Sequence, residues 1–139
     1  MNRRDILARL WEAFDGIDIH PSMIAELMEL IAESGAEQQF LNLLLSRLKY
    51  LKSNGARAVS HEEFESIRDG IFSMHLSKRD FNIRILYTFL PNRNPCLLLC
   101  FYERAGKQAT DYTKKIPIAL KRFSEELEGY KNGEKLVLG

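Results

Sequence analysis

Two cysteines in 139 residues are too few for a disulfide framework. Both, Cys96 and Cys100, stand four apart in an apolar run that reads as a strand. On one strand they would share a face about 13 Å apart, at ~3.3 Å per residue, too far to bridge each other. They read as free thiols serving as small buried hydrophobes. Histidine is equally sparse: His20, His61 and His75 are scattered, and His61-Glu62-Glu63 lacks a second histidine at ligand spacing. Neither a metal site nor a cofactor is expected. No apolar run approaches the ~18–20 residues of a membrane-spanning helix. Arg3 and Arg4 open the chain, but acidic residues follow and no small-residue cleavage site appears. A signal peptide is not expected, and the cytoplasm is the expected location.

What is present is ordinary in bulk and uneven in detail. A chain that is 45% hydrophobic and 28% charged reads as one globular domain over 1–139. Net charge is +1, yet residues 1–35 hold three basic and seven acidic side chains, while residues 77–122 hold ten basic and three acidic. A basic block in a neutral protein suits a nucleic-acid backbone. A lysine-rich solvated face would look the same.

Helical periodicity dominates the first third. Ile6, Leu7, Leu10, Trp11 and Phe14 share a face over residues 3–14, and Asp15-Gly16 stops that helix. Gly16 to Ile19 alternates as a short strand would. Pro21 fits the first turn of a helix closed by Gly35, which buries Met23, Ile24, Leu27, Met28 and Ile31. A longer helix, about 37–53, presents Phe40, Leu41, Leu44, Leu45, Leu48 and Leu51, and Asn54-Gly55 ends it. So short a joint implies an antiparallel helical hairpin. Residues 56–69 read as a polar joint with a capping box at Ser60–Glu63 and one helical turn.

Three strands are predicted next. Phe72, Met74 and Leu76 alternate with Ser73 and His75. Past the Ser77–Asp80 tip, Phe81, Ile83, Ile85, Tyr87 and Phe89 alternate with Asn82, Arg84 and Thr88. Pro91–Pro95 forms a turn into Cys96–Tyr102, which is apolar on both faces and therefore central. Short links imply an antiparallel meander. His75 and Arg84 then face away from the most apolar side, which the helices would cover, leaving the opposite side open. A last helix, with Pro117 in its first turn, should start between Thr113 and Ile116 and end at Gly129 or Gly133. Leu136–Leu138 reads as a tail strand or a frayed end.

From residue 37 onward this order resembles the HigB/RelE-like toxins of toxin–antitoxin pairs, in their phage-derived branch. The resemblance is carried by Asp69–His75, Arg84–Phe89, Leu98–Lys107 and Ile118–Arg122, and covers about 90 residues. It implies an α+β fold: a helical hairpin on a small twisted antiparallel sheet, residues 16–139, with residues 1–15 an added N-terminal helix and a C-terminal helix behind. It also implies metal-independent cleavage of messenger RNA, on the ribosome in many members, by attack of the ribose 2′-OH on its adjacent phosphate. The expected partner is an antitoxin, often a small helix-turn-helix protein.

Carried onto these residues, the resemblance assigns Arg84 to the scissile phosphate and His75 to general acid or base work, tasks that suit guanidinium and imidazole. Lys78, Arg79, Arg104 and Lys107 would hold the RNA backbone. Tyr102 or Tyr87 could stack on a base, although Tyr87 also alternates as a core residue. The chain departs from the family where Ser73-Met74-His75 replaces Glu-Leu-Arg and Glu103 replaces the first of two lysines. Those departures leave open a non-catalytic protein of the same fold that binds RNA or a protein partner.

Overall fold

The structure, a computed structural model, describes residues 2–138, with side chains except those of 108–110 and 134–138. Its architecture is α+β, with helices at both ends and a five-stranded sheet between them. Helices α1 (Arg3–Ala13), α2 (Pro21–Ser34) and α3 (Glu37–Asn54) precede most of the sheet, and β1 (Asp18–Ile19) lies between the first two. A 3₁₀ turn over Gly55–Ser60 leads into β2 (Phe64–Arg68), β3 (Ile71–Lys78), β4 (Phe81–Phe89) and β5 (Pro95–Tyr102), and α4 (Gln108–Leu138) follows. The strand order is β1-β5-β4-β3-β2. Strands β2 to β5 form an antiparallel meander, and β1 joins β5 in parallel.

Local chemistry sets the helix ends. Asn2 caps α1, its side chain accepting from the Asp5 amide at 2.9 Å. His20 caps α2 through Nδ1, which accepts from the Ser22 amide at 3.1 Å, and Pro21 takes the first turn. Gly35, at φ 65°, closes α2 in a left-handed conformation that a Cβ would strain.

The core has two parts, one on each side of the sheet. Ile6, Leu10, Met23, Leu27, Ile31, Phe40, Leu44 and Leu48 of α1–α3 pack with Met74, Leu76, Ile83, Ile85, Tyr87 and Leu97. On the other side, Tyr112, Ile116 and Ala119 of α4 pack on Ile71, Leu86, Leu98, Leu99 and Phe101. That second face was expected to be open; α4 covers much of it, including Ile71 and Ser73 of β3, and leaves His75, Asn82 and Arg84 half-buried.

Three further expectations are corrected. Residues 64–68 form a strand, so the meander has four members. Asp69 and Gly70, both at positive φ (55° and 76°), make the tight two-residue turn of its first hairpin. Between Leu97, opposite Tyr87, and Leu99, opposite Leu86, Leu98 is an extra residue. That bulge changes the side-chain parity, so Cys96 joins the α4 side of the core and Cys100 the other; both are free thiols, as expected. Finally, α4 begins at Gln108, carries Pro117 inside it, and runs through Gly129, Gly133 and the expected tail at 136–138.

Two predictions arise here. Proline inside a helix removes an N–H and crowds the preceding turn, and Pro117 is exposed, so nothing packs to compensate. Pro117→Ala should raise stability by about 1–3 kcal/mol, read as an increase of several degrees in Tm. Burial and the neighbouring Asp18 push the Glu126 carboxyl up to about 8 from 4.5. Between those values the folded chain keeps a proton that the unfolded chain loses, so stability should fall as pH rises through this window. Glu126→Gln should flatten that fall, seen by comparing Tm at about pH 5 and pH 8.5 for both proteins.

Candidate active site

Strand register brings the two principal candidates together. His75 of β3 stands directly opposite Arg84 of β4, and alternation points both to the α4 side. Beyond β5, Glu103 is 9% exposed, and its Oε2 accepts from Arg84 Nε at 3.0 Å and lies 3.3 Å from His75 Nε2. Asn82, two residues before Arg84, meets His75 Nε2 through Oδ1 and donates from Nδ2 to the Glu103 carbonyl at 3.3 Å. On the far side of the imidazole, Glu63 Oε2 is 3.3 Å from Nδ1. Both ring nitrogens therefore face acceptor oxygens.

The network extends along β2 and α4. Arg84 Nη1 is 3.5 Å from Glu65 Oε1. The Tyr112 hydroxyl of α4 lies 3.1 Å from both Glu65 Oε1 and the fully buried Ser73 Oγ. Ser73 is thus a polar seat for the start of α4. From α3, Arg47 reaches round the sheet edge, its Nε donating to the His75 carbonyl at 3.3 Å.

The other candidate residues are dispersed. Lys78 and Arg79, at the β3–β4 tip, line an open groove of about 490 Å³ with Gln39, Asn42, Leu43 and Ser46, on the α3 side. Tyr102 is opposite Ile83 and is grouped with Leu30 and Ser34 of α2, on the face away from His75 and Arg84. Arg104 is turned onto Asp111, with Nε donating to Oδ1 at 3.1 Å. The guanidinium holds the Asp111 carboxyl below its usual range, and the carboxylate raises Arg104 in turn. Lys107 is exposed in the loop before α4. Tyr87 is core, as its alternation predicted, and burial raises its hydroxyl above the usual tyrosine range.

Sequence reasoning missed Glu63, Glu65, Asn82 and Tyr112 as members of the network. Asn82 was legible, since it shares a strand face with Arg84. Glu63 and Glu65 became legible only with β2 in place, and Tyr112 only with α4 started early enough. Chemically, the arrangement offers a guanidinium and an imidazole that share the Glu103 carboxylate, with Glu65 against the first and Glu63 against the second. Among the described residues, no group of His, Cys, Asp and Glu side chains is arranged to hold a metal ion.

No curated protein and no solved structure matches the chain. The family described as phage derived protein Gp49-like (DUF891) matches residues 28–124, a stretch running from within α2 through β5 into α4 and including every residue of the polar network. The chain thus belongs to the phage-derived Gp49-like family, which falls broadly among the RelE/HigB-like toxins.

Proposed function

We propose that this protein is the toxin of a toxin–antitoxin pair and acts as an mRNA interferase. The observation that carries the reading is the cross-strand pair His75–Arg84, aimed at a common point on one sheet face. Cleavage of RNA by its own 2′-OH needs an in-line geometry, proton transfers to and from oxygen, and stabilisation of charge on phosphorus. In this reading Arg84 pairs with the scissile phosphate and His75 moves a proton. The products are a cyclic phosphate and a free 5′-hydroxyl, a reaction that requires no metal.

Exposed Lys78, Arg79 and Lys107 are the cations for the RNA backbone. Arg104 contributes after leaving Asp111, and Tyr102 serves a strand that wraps onto the other face. The substrate is messenger RNA, on the ribosome in the fullest form of the proposal. The partner is a cognate antitoxin, a small helix-turn-helix protein, and the site of action is the cytoplasm. Among the described residues no helix is long and apolar enough to cross a membrane.

Inducible expression in a bacterium tests the proposal. Growth arrest with cleaved messenger RNA is expected. Arg84→Ala should reduce cleavage by about 10²–10³-fold, and His75→Ala by roughly 10²-fold or more. Unaffected growth with intact messenger RNA would reject the nuclease. Salt-sensitive RNA binding without cleavage would identify a non-catalytic binder instead.

A further inference from the structure

We propose that the Glu103 carboxylate stands in the place of the substrate phosphate, so that Arg84 and His75 form a phosphodiester-oxygen subsite that RNA opens by displacing it. This rests on the ribonuclease reading above and assigns Glu103 the role of an internal competitor. Nitrogen atoms of two strands converge on a single oxygen, Glu103 Oε2: Arg84 Nε donates to it at 3.0 Å, and His75 Nε2, which also faces Asn82 Oδ1, lies 3.3 Å away. Nitrogen atoms converging on one oxyanion position suit a phosphate-oxygen subsite.

Backbone geometry permits the exchange. The Glu103 amide donates to the Asn82 carbonyl at 2.9 Å, and its carbonyl accepts from Asn82 Nδ2 at 3.3 Å. The main chain is thus clamped, so displacement falls to rotation of the Glu103 side chain. Replacing one oxyanion with another leaves Arg84 paired, and the released carboxylate regains water. Arg104 cannot supply a first contact for the incoming strand without breaking its pairing with Asp111. No ion pair holds Lys78, Arg79 or Lys107 among the described residues, which leaves them available for that contact.

The test uses the full chain, with Glu103→Gln removing the charge at constant shape. Glu103→Asp keeps the charge but shortens the reach, and serves as the second variant should the first fail to fold. Thermal unfolding establishes which variants are native. Fluorescence anisotropy then follows binding of a short oligonucleotide 2′-O-methylated throughout, which has no nucleophile and stays intact. Cleavage of the same sequence as RNA is measured in parallel.

Both variants should bind about tenfold or more tightly than the unsubstituted chain, a change of one charge-assisted contact. The gain should vanish when Arg84→Ala is added. Equal or weaker binding, or a gain that survives Arg84→Ala, overturns the proposal. If the unsubstituted chain cleaves RNA and the variants bind no better, the competitor role fails and the ribonuclease stands. If only the variants bind tightly and cleave, the competitor role stands and the unsubstituted chain is not an active nuclease. Absence of RNA binding by every protein overturns both.

Discussion

The register of β3 against β4 is the constraint on which both core and site depend. Phe72, Met74 and Leu76 face the helical hairpin with Phe81, Ile83, Ile85 and Tyr87, while Ser73, His75, Asn82, Arg84 and Thr88 take the other face. Because side chains alternate, a slip of one residue in β3 would send its apolar set to the polar face. Burial of each of those side chains contributes about 1.5–3 kcal/mol, so the correct register is strongly favoured. Given that register, the pairing of His75 with Arg84 follows without further specification. The hydrophobic pattern thus builds the polar site.

Charge is distributed differently from what the linear sequence suggests. Residues 77–122 carry a large basic excess, but folding commits three of its five arginines. Arg84 meets Glu103 and Glu65, Arg104 meets Asp111, and Arg122 meets Glu26 at 2.7 Å. Arg104 is half exposed, so water screens its pairing with Asp111. The Arg84–Glu103 pair differs, because both side chains are only 12% and 11% exposed. Removing either partner would leave a charge in a partly desolvated position, which costs far more than the intact pair contributes. Glu103 is therefore a structural partner of Arg84.

Much of the architecture was legible from the sequence, and the failures have local causes. Apolar periodicity located α1, α2 and α3 because each keeps a full stripe over three or more turns. Alternation located β3 and β4 and placed His75 and Arg84 on one face. Strand β2 escaped because Phe64-Glu65-Ser66-Ile67-Arg68 offers only two apolar residues, three apart, at an odd spacing that an alternating strand splits between its faces. The signal that would have found it is Asp69-Gly70, a tight-hairpin dipeptide with another strand after it. The bulge at Leu98 was not legible, since Leu97–Leu99 is uniformly apolar and carries no parity. Pro117 misdirected the start of α4 because propensity favours a first-turn proline, whereas here Tyr112, Ile116 and Ala119 anchor the helix to the sheet on either side of it. Packing outweighed propensity. With the early turn of α4 went Asp111 and Tyr112, and with β2 went Glu63 and Glu65, so errors of boundary became omissions from the site.

The segment before the family match, residues 1–27, has its own physical account. Strand β5 is eight residues long and apolar on both faces, and as an edge it would invite pairing with another chain. Two residues of β1 bond along part of that edge, and the His20 amide extends the coverage by donating to the Leu97 carbonyl at 2.9 Å. His20 also joins the two sides of the sheet, capping α2 through Nδ1 while Nε2 lies 3.1 Å from Glu125 of α4. Ahead of it, Ile6, Leu10, Phe14 and Ile17 extend the same core that α2 and α3 build, and Arg9 donates to Asn42 of α3 at 2.9 Å. The N-terminal segment therefore completes the sheet edge and widens the core beneath the helical hairpin. Trp11 of α1 is left outside, 60% exposed and in a T-shaped contact with Phe14.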